Sequence, residues 1–102
     1  MNIGEAIKEL RKKKGLSQTE FAQLCSLSQT SLSLIEAGKT QPHENTINCI
    51  AEKLNISPIL LYFMAFSEKD VPEQKKDAYR ILGPAIKNMV NQLFSEELEQ
   101  YA

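Results

Sequence analysis

Apolar residues recur at helical spacing along nearly the whole chain, and strand-like alternation of useful length is absent. Residues 3–12 place Ile3, Ala6 or Ile7, and Leu10 on one face, with Asn2 positioned to cap and Glu5 three residues on. The run Arg11-Lys12-Lys13-Lys14 closes this first helix where cations suit the negative end of the macrodipole, and Gly15 stops it. Ser17-Gln18-Thr19-Glu20 has the spacing of a capping box, and the helix it opens has Phe21, Ala22, Leu24 and Cys25 as its apolar set. The hydroxyls of Ser26-Leu27-Ser28 favour a turn and a new N-cap, so this second helix is short. A third helix runs from Gln29 to near Ala37, with Leu32, Ile35 and Leu34 apolar, and Gly38 ends it. After Lys39-Thr40-Gln41-Pro42, a fourth helix turns Ile47, Ile50, Ala51 and Leu54 inward. Asn55-Ile56 is a short connection, and Ser57-Pro58 starts a fifth helix carrying Leu60, Leu61, Phe63 and Met64.

The expected fold is therefore all-α, with five short helices in residues 1–66. Residues 67–72 read as a linker, and a last helical region runs from about Glu73 onward. Proline inside a helix removes a hydrogen bond and clashes one turn back, so Gly83-Pro84 is expected to kink that region or divide it. Within it, Tyr79, Leu82, Ile86, Met89 and Leu93 follow the three-four spacing of a heptad seam, which Val90 and Phe94 widen.

Composition narrows the classes without choosing among them. With 42% apolar and 25% charged residues, the chain reads as an ordinary soluble globular protein. No segment has the length of apolar sequence that a membrane span needs, and Lys8, Glu9, Arg11 and Lys12 break up any signal-like pattern. A cytoplasmic protein is expected. Cys25 and Cys49 fall on apolar helix positions, and with His43 as the single histidine they are too few for a zinc site, so they read as buried, inert thiols. No glycine-rich phosphate loop, His–carboxylate arrangement or metal cluster is present, so neither an enzyme nor a cofactor is expected. Net charge is −1 overall: residues 1–66 hold seven basic and six acidic side chains, residues 67–102 five and seven. Charge alone does not point to nucleic acid.

Pattern does. Two short helices joined by a tight turn, the second polar on its outer face, form a helix-turn-helix over about 18–37. The close crossing needs a small residue, supplied by Ala22, and Leu32 and Ile35 are spaced to anchor the second helix. Gln29, Thr30 and Ser31 then stand at its start, where a side chain can reach base edges; glutamine can pair adenine bidentately, and Thr or Ser several bases. Residues from about Ile3 to Phe66 resemble the Cro/cI (XRE) family of repressors. The resemblance is carried by Ile7 to Arg11, Gly15-Leu16-Ser17-Gln18, Phe21-Ala22, Ser28-Gln29, Ile35-Glu36-Ala37-Gly38-Lys39, Pro42 and Ile50-Ala51-Glu52-Lys53-Leu54.

That resemblance implies a lambda-repressor-like five-helix DNA-binding domain over 1–66, with 67–102 a helical extension. It implies that Gln18 donates to a phosphate and buttresses the first base-reading side chain. It makes Gln29 and Thr30 the first base-contacting positions, Ser33 and Leu34 the later groove-facing ones, and Lys39 and Thr40 the loop on the phosphates. Arg11 and Glu36 match an internal ion pair of some members. Two positions depart from the family. Ser26 stands where glycine is usual, at a cost on the order of 1 kcal/mol if φ is positive. Leu34 stands where a polar residue is common, and either touches a thymine methyl or packs internally. The implied partner is double-stranded DNA, read by a homodimer with half-sites about one helical turn apart. The tail stripe (Tyr79, Leu82, Ile86, Met89, Val90, Leu93, Phe94) is assigned to dimerisation. Its alternatives are folding back on its own domain, or binding a partner protein in the manner of an antitoxin.

Overall fold

The computed structural model describes residues 1–102 and contains seven helices and no strand: α1 Ile3–Lys13, α2 Gln18–Leu24, α3 Gln29–Glu36, α4 Glu44–Lys53, α5 Pro58–Ala65, α6 Lys76–Leu93 and α7 Ser95–Glu99. The all-α expectation holds. Asn2 Oδ1 accepts from Glu5 N–H at 3.0 Å, and Ser17 and Glu20 make both bonds of the capping box. Ser28 Oγ accepts from Ser31 N–H at 3.0 Å and opens α3. Ser57 precedes Pro58 as read, yet its side chain makes no cap bond.

The first four helices end alike. After each, a residue with positive φ lets the chain make two reversed bonds to carbonyls of the last turn, the Schellman arrangement. Gly15 and Gly38 do this at 76° and 75°. Ser26 takes 56°, with Leu27 N–H reaching Ala22 O at 2.8 Å, and Asn55 takes 63°, with Ile56 N–H reaching Ala51 O at 3.0 Å. The residues that follow three of these turns, Leu16, Leu27 and Ile56, then pack on or within the core. All four turns thus satisfy orphan carbonyls, and these three also bury an apolar residue, whereas Lys39 after Gly38 is exposed.

One core joins α1 to α5, with Ile7, Leu10, Phe21, Leu32, Ile47, Ile50, Leu54, Leu60 and Leu61 its largest fully buried side chains. α1 packs on α5 and α3, α2 on α3, and α4 on α5. Gly4 is buried where α1 meets the end of α3, and a Cβ there would lie 2.1 Å from Ile35 O and 3.0 Å from Glu36 O. The close approach therefore depends on the missing side chain.

Four readings change. Leu24, assigned to the apolar set of α2, is 49% exposed, whereas Phe21, Ala22 and Cys25 are buried. Cys49 is only half-buried; its thiol donates to Cys25 O at 3.9 Å. The linker forms short 3-10 turns at Glu68–Asp70 and Glu73–Lys75. Gly83-Pro84 does not divide the last helix, because α6 continues through Pro84 and the break comes at Phe94. Gly83 has no Cβ to collide with the proline ring, which removes part of the usual penalty. α6 is also largely exposed, so a carbonyl that loses its partner can turn to water. No helix is long and apolar enough to cross a membrane.

Candidate nucleic-acid interface

The candidate surface, at the starts of α2 and α3, is built on a buried ion pair. Arg11 Nε donates to Glu36 Oε2 at 2.7 Å and Nη2 to Glu36 Oε1 at 3.0 Å, a two-point grip that ties α1 to the last turn of α3. The third donor of the fork, Nη1, reaches Leu16 O at 2.7 Å, so the charge taken from water is well bonded. Both side chains are nearly removed from solvent, at 7% and 2% exposure. Glu36 therefore lies inside the domain and presents its charge to Arg11 and not to solvent. Gly4 packs its main chain against the same residue's carbonyl, so α1 holds the end of α3 at two points, two helical turns apart.

Two glutamines carry this grip to the surface. Gln18 Nε2 donates to Glu36 Oε1 at 3.0 Å, and Gln29 Nε2 donates to Gln18 Oε1 at 2.8 Å. The helix-turn-helix crossing brings these residues together from the starts of α2 and α3. Gln29, Thr30 and Ser31 are exposed there, with Ser33 half-buried beside them. The Ser31 hydroxyl is occupied, accepting from Ser28 Oγ at 2.9 Å within the cap of α3. Leu34 is 39% exposed, so its side chain is at the surface instead of in the core. Lys39 and Thr40 are exposed in the turn after α3, where their N–H groups bond to Leu34 O at 3.0 and 3.3 Å.

The seven tail residues assigned to dimerisation divide. Val90 and Phe94 pack on the core of their own chain, joined by Leu98 and Tyr101, which the sequence reading did not single out. The Tyr101 hydroxyl donates to Leu54 O, and Gln100 Nε2 to Asn55 O at 3.0 Å, which pins the tail to the end of α4. Tyr79 stacks at a tilt on Phe66, with ring centroids 6.0 Å apart. Leu82, Ile86, Met89 and Leu93 remain exposed, and Ile81 extends their surface. One side of α6 thus closes on the domain while the other has no partner. No group of His, Cys, Asp and Glu forms a metal site.

Three comparisons bear on this geometry. A family model described as helix-turn-helix matches residues 7–61. The antitoxin PezA of Streptococcus pneumoniae serotype 4 (strain ATCC BAA-334 / TIGR4) is 42% identical over 55 residues, 54% of this chain and 35% of that protein. In Bacillus phage phi105, the ImmF control region 10 kDa protein is 43% identical over 54 residues, 53% of this chain and 60% of its own length. The immunity repressor protein of the same phage is 34% identical over 56 residues, 55% and 39% of the two chains. The matched segment therefore spans less than two thirds of each of these relatives. Among solved structures, the clp gene regulator ClgR from Corynebacterium glutamicum superposes with a TM-score of 0.59 at 18% identity, over 93% of this chain and 89% of that one. That likeness is one of fold.

Proposed function

The chain belongs to the helix-turn-helix family, among its Cro/cI-type DNA-binding transcription regulators, and from that membership we propose that it is a cytoplasmic repressor that binds a near-palindromic operator as a homodimer. Residues 1–66 form the DNA-binding domain in this reading, and residues 67–102 provide the pairing surface. α3 enters the major groove with Gln29 and Thr30 leading and Ser31, Ser33 and Leu34 behind. Gln18, Lys39 and Thr40 contact phosphates. The observation that carries the reading is the bonded row Glu36–Gln18–Gln29, which delivers a positioned amide to the exposed start of α3. Arg11 and Glu36 act structurally beneath it. Pairing is supported by the uncovered row Leu82, Ile86, Met89 and Leu93. Few cations flank α3, so one domain gains little from phosphates and two acting together gain more.

Duplexes selected from a random pool, with particle size measured in the same buffer, test this directly. Gln29→Ala should lose discrimination at one base pair per half-site, about 1–3 kcal/mol. Lys39→Ala should weaken all sequences alike and lower the salt slope by about 1. If neither substitution alters affinity for the selected operator, the groove assignment is wrong. A second reading draws on the antitoxin relative: the uncovered side of α6 and the tail's acidic excess would hold a small basic partner protein. Co-purification of such a partner at the expense of self-association supports it, and a self-contained homodimer that buries the row counts against it.

A further inference from the structure

We infer that Glu36, although buried and out of reach of DNA, is a specificity-determining positioning residue that fixes which end of the Gln29 amide faces the groove. The inference rests on the proposal that α3 reads bases through Gln29. An ionised carboxylate can only accept hydrogen bonds. Glu36 Oε1 must therefore meet the NH₂ end of Gln18, which lies 3.0 Å away. That choice turns the carbonyl end of Gln18 toward Gln29, and a carbonyl in turn demands the NH₂ end of Gln29, 2.8 Å away. Each amide is oriented by the acceptor behind it, whichever way either would lie alone. Arg11 holds the chain's first member still, because its two bonds to Glu36 leave the carboxylate no freedom to rotate.

The outcome at the surface is specific. With one N–H of Gln29 spent on Gln18, its free oxygen and second N–H face outward, an acceptor beside a donor. That pair matches the major-groove edge of adenine, which offers the N6 donor and the N7 acceptor. Reversed, the amide would bring its NH₂ end forward, and two donors match the O6 and N7 acceptors of guanine. The buried carboxylate thus selects adenine over guanine through two intervening amides.

The test uses the full chain and its selected operator, with adenine or guanine placed at the base that Gln29 reads. Arg11→Met with Glu36→Leu removes the pair without leaving a buried charge, an exchange that cores often tolerate. Gln18→Leu keeps the pair and cuts the relay. In both, the adenine-over-guanine preference at that one position should fall by about fivefold or more, the lower end for a bidentate contact, while preferences at other positions stay as they were. An unchanged preference in either variant, with its helical melt showing a folded protein, overturns the inference. In the unsubstituted protein, the bonded side-chain amide proton of Gln18 and that of Gln29 should exchange with solvent more slowly than those of exposed Gln23. Equal rates overturn it too, and need no variant to fold. Gln29→Ala separates the two layers: if it leaves the base preferences unchanged, the reading of α3 fails, whereas if it alone abolishes the preference, only the relay fails.

Discussion

Alanine in place of glycine within a helix ordinarily stabilises, by roughly 0.5–1 kcal/mol in the interior and less in a first turn. Gly4 should show the opposite sign. Its added Cβ would fall 2.1 Å from Ile35 O, more than an ångström short of ordinary contact, and 3.0 Å from Glu36 O. The obstacle is main chain within a helix, so no rotamer change relieves it. α1 must tilt away from the end of α3, and overpacking of this kind costs about 1–3 kcal/mol. Backbone against backbone places Gly4→Ala toward the upper end, and after the small helix gain a net loss of about 2 kcal/mol remains, some 10 °C in melting temperature for a domain of this size. The same tilt works against the Arg11–Glu36 grip, so operator affinity should fall even below the melt. Thermal and urea denaturation followed by helical signal measure the first effect, and titration with the selected duplex the second. A Gly4→Ala protein as stable as the parent or more so would refute the close approach of α1 to α3.

Ser26→Gly should stabilise by a few tenths to about 1 kcal/mol, because relief of roughly 1–2 kcal/mol of left-handed strain exceeds the added freedom of the unfolded chain; a lower urea midpoint would show that the turn is not strained. Burial pushes the Cys25 thiol up from 9.0 to about 12, with Cys49 beside it adding to the rise. Above pH 9 the unfolded thiol ionises while the folded one does not, so this group's contribution is full below pH 9 and lost as pH climbs toward 12. Burial also raises Tyr101 from 10.0 to about 12, adding loss on the same alkaline side, so stability should decline through that range in a pH series of urea melts. At pH 8 a neutral alkylating reagent should label half-buried Cys49 first and Cys25 only on unfolding; early labelling of Cys25 would contradict its burial. Met89→Glu and Leu93→Glu should weaken self-association about tenfold or more without lowering the helical melt, as sedimentation would record, and unchanged association would move the interface off α6.

Much of the domain was legible because local signals and the global fold agree. Asn2, Ser17 and Ser28 cap where their spacing to Glu5, Glu20 and Ser31 requires, and Gly15 and Gly38 end helices because a left-handed residue is needed there. Asn55 carried the same signal, since asparagine tolerates that conformation and Ile56 supplies the apolar residue after it, yet it read only as a connection. Leu24 misled because periodicity records polarity and not which side of a seven-residue helix has a neighbour. Gly4 was silent, as the obstacle to its Cβ comes from carbonyls some thirty residues away along the chain. The link from Glu36 to Gln18 was hidden likewise: resemblance supplied its two ends, but only the fold brings a buried carboxylate under a surface amide. In the tail, the stripe was readable and its division was not. Val90 and Phe94 turn inward on the same side where Tyr101 and Gln100 bond to Leu54 O and Asn55 O, contacts between segments far apart in sequence.

The proposed surface that meets DNA is the start of α3, held from beneath by Glu36 and Gln18. Backbone amide shifts recorded while the selected duplex is titrated into the full chain test it most directly. The largest changes should fall on Gln18, on Gln29 to Leu34, and on Lys39 and Thr40, with Leu82, Ile86, Met89 and Leu93 unmoved by DNA itself. Changes centred on α6, or spread evenly over the exposed lysines of α1, would contradict it.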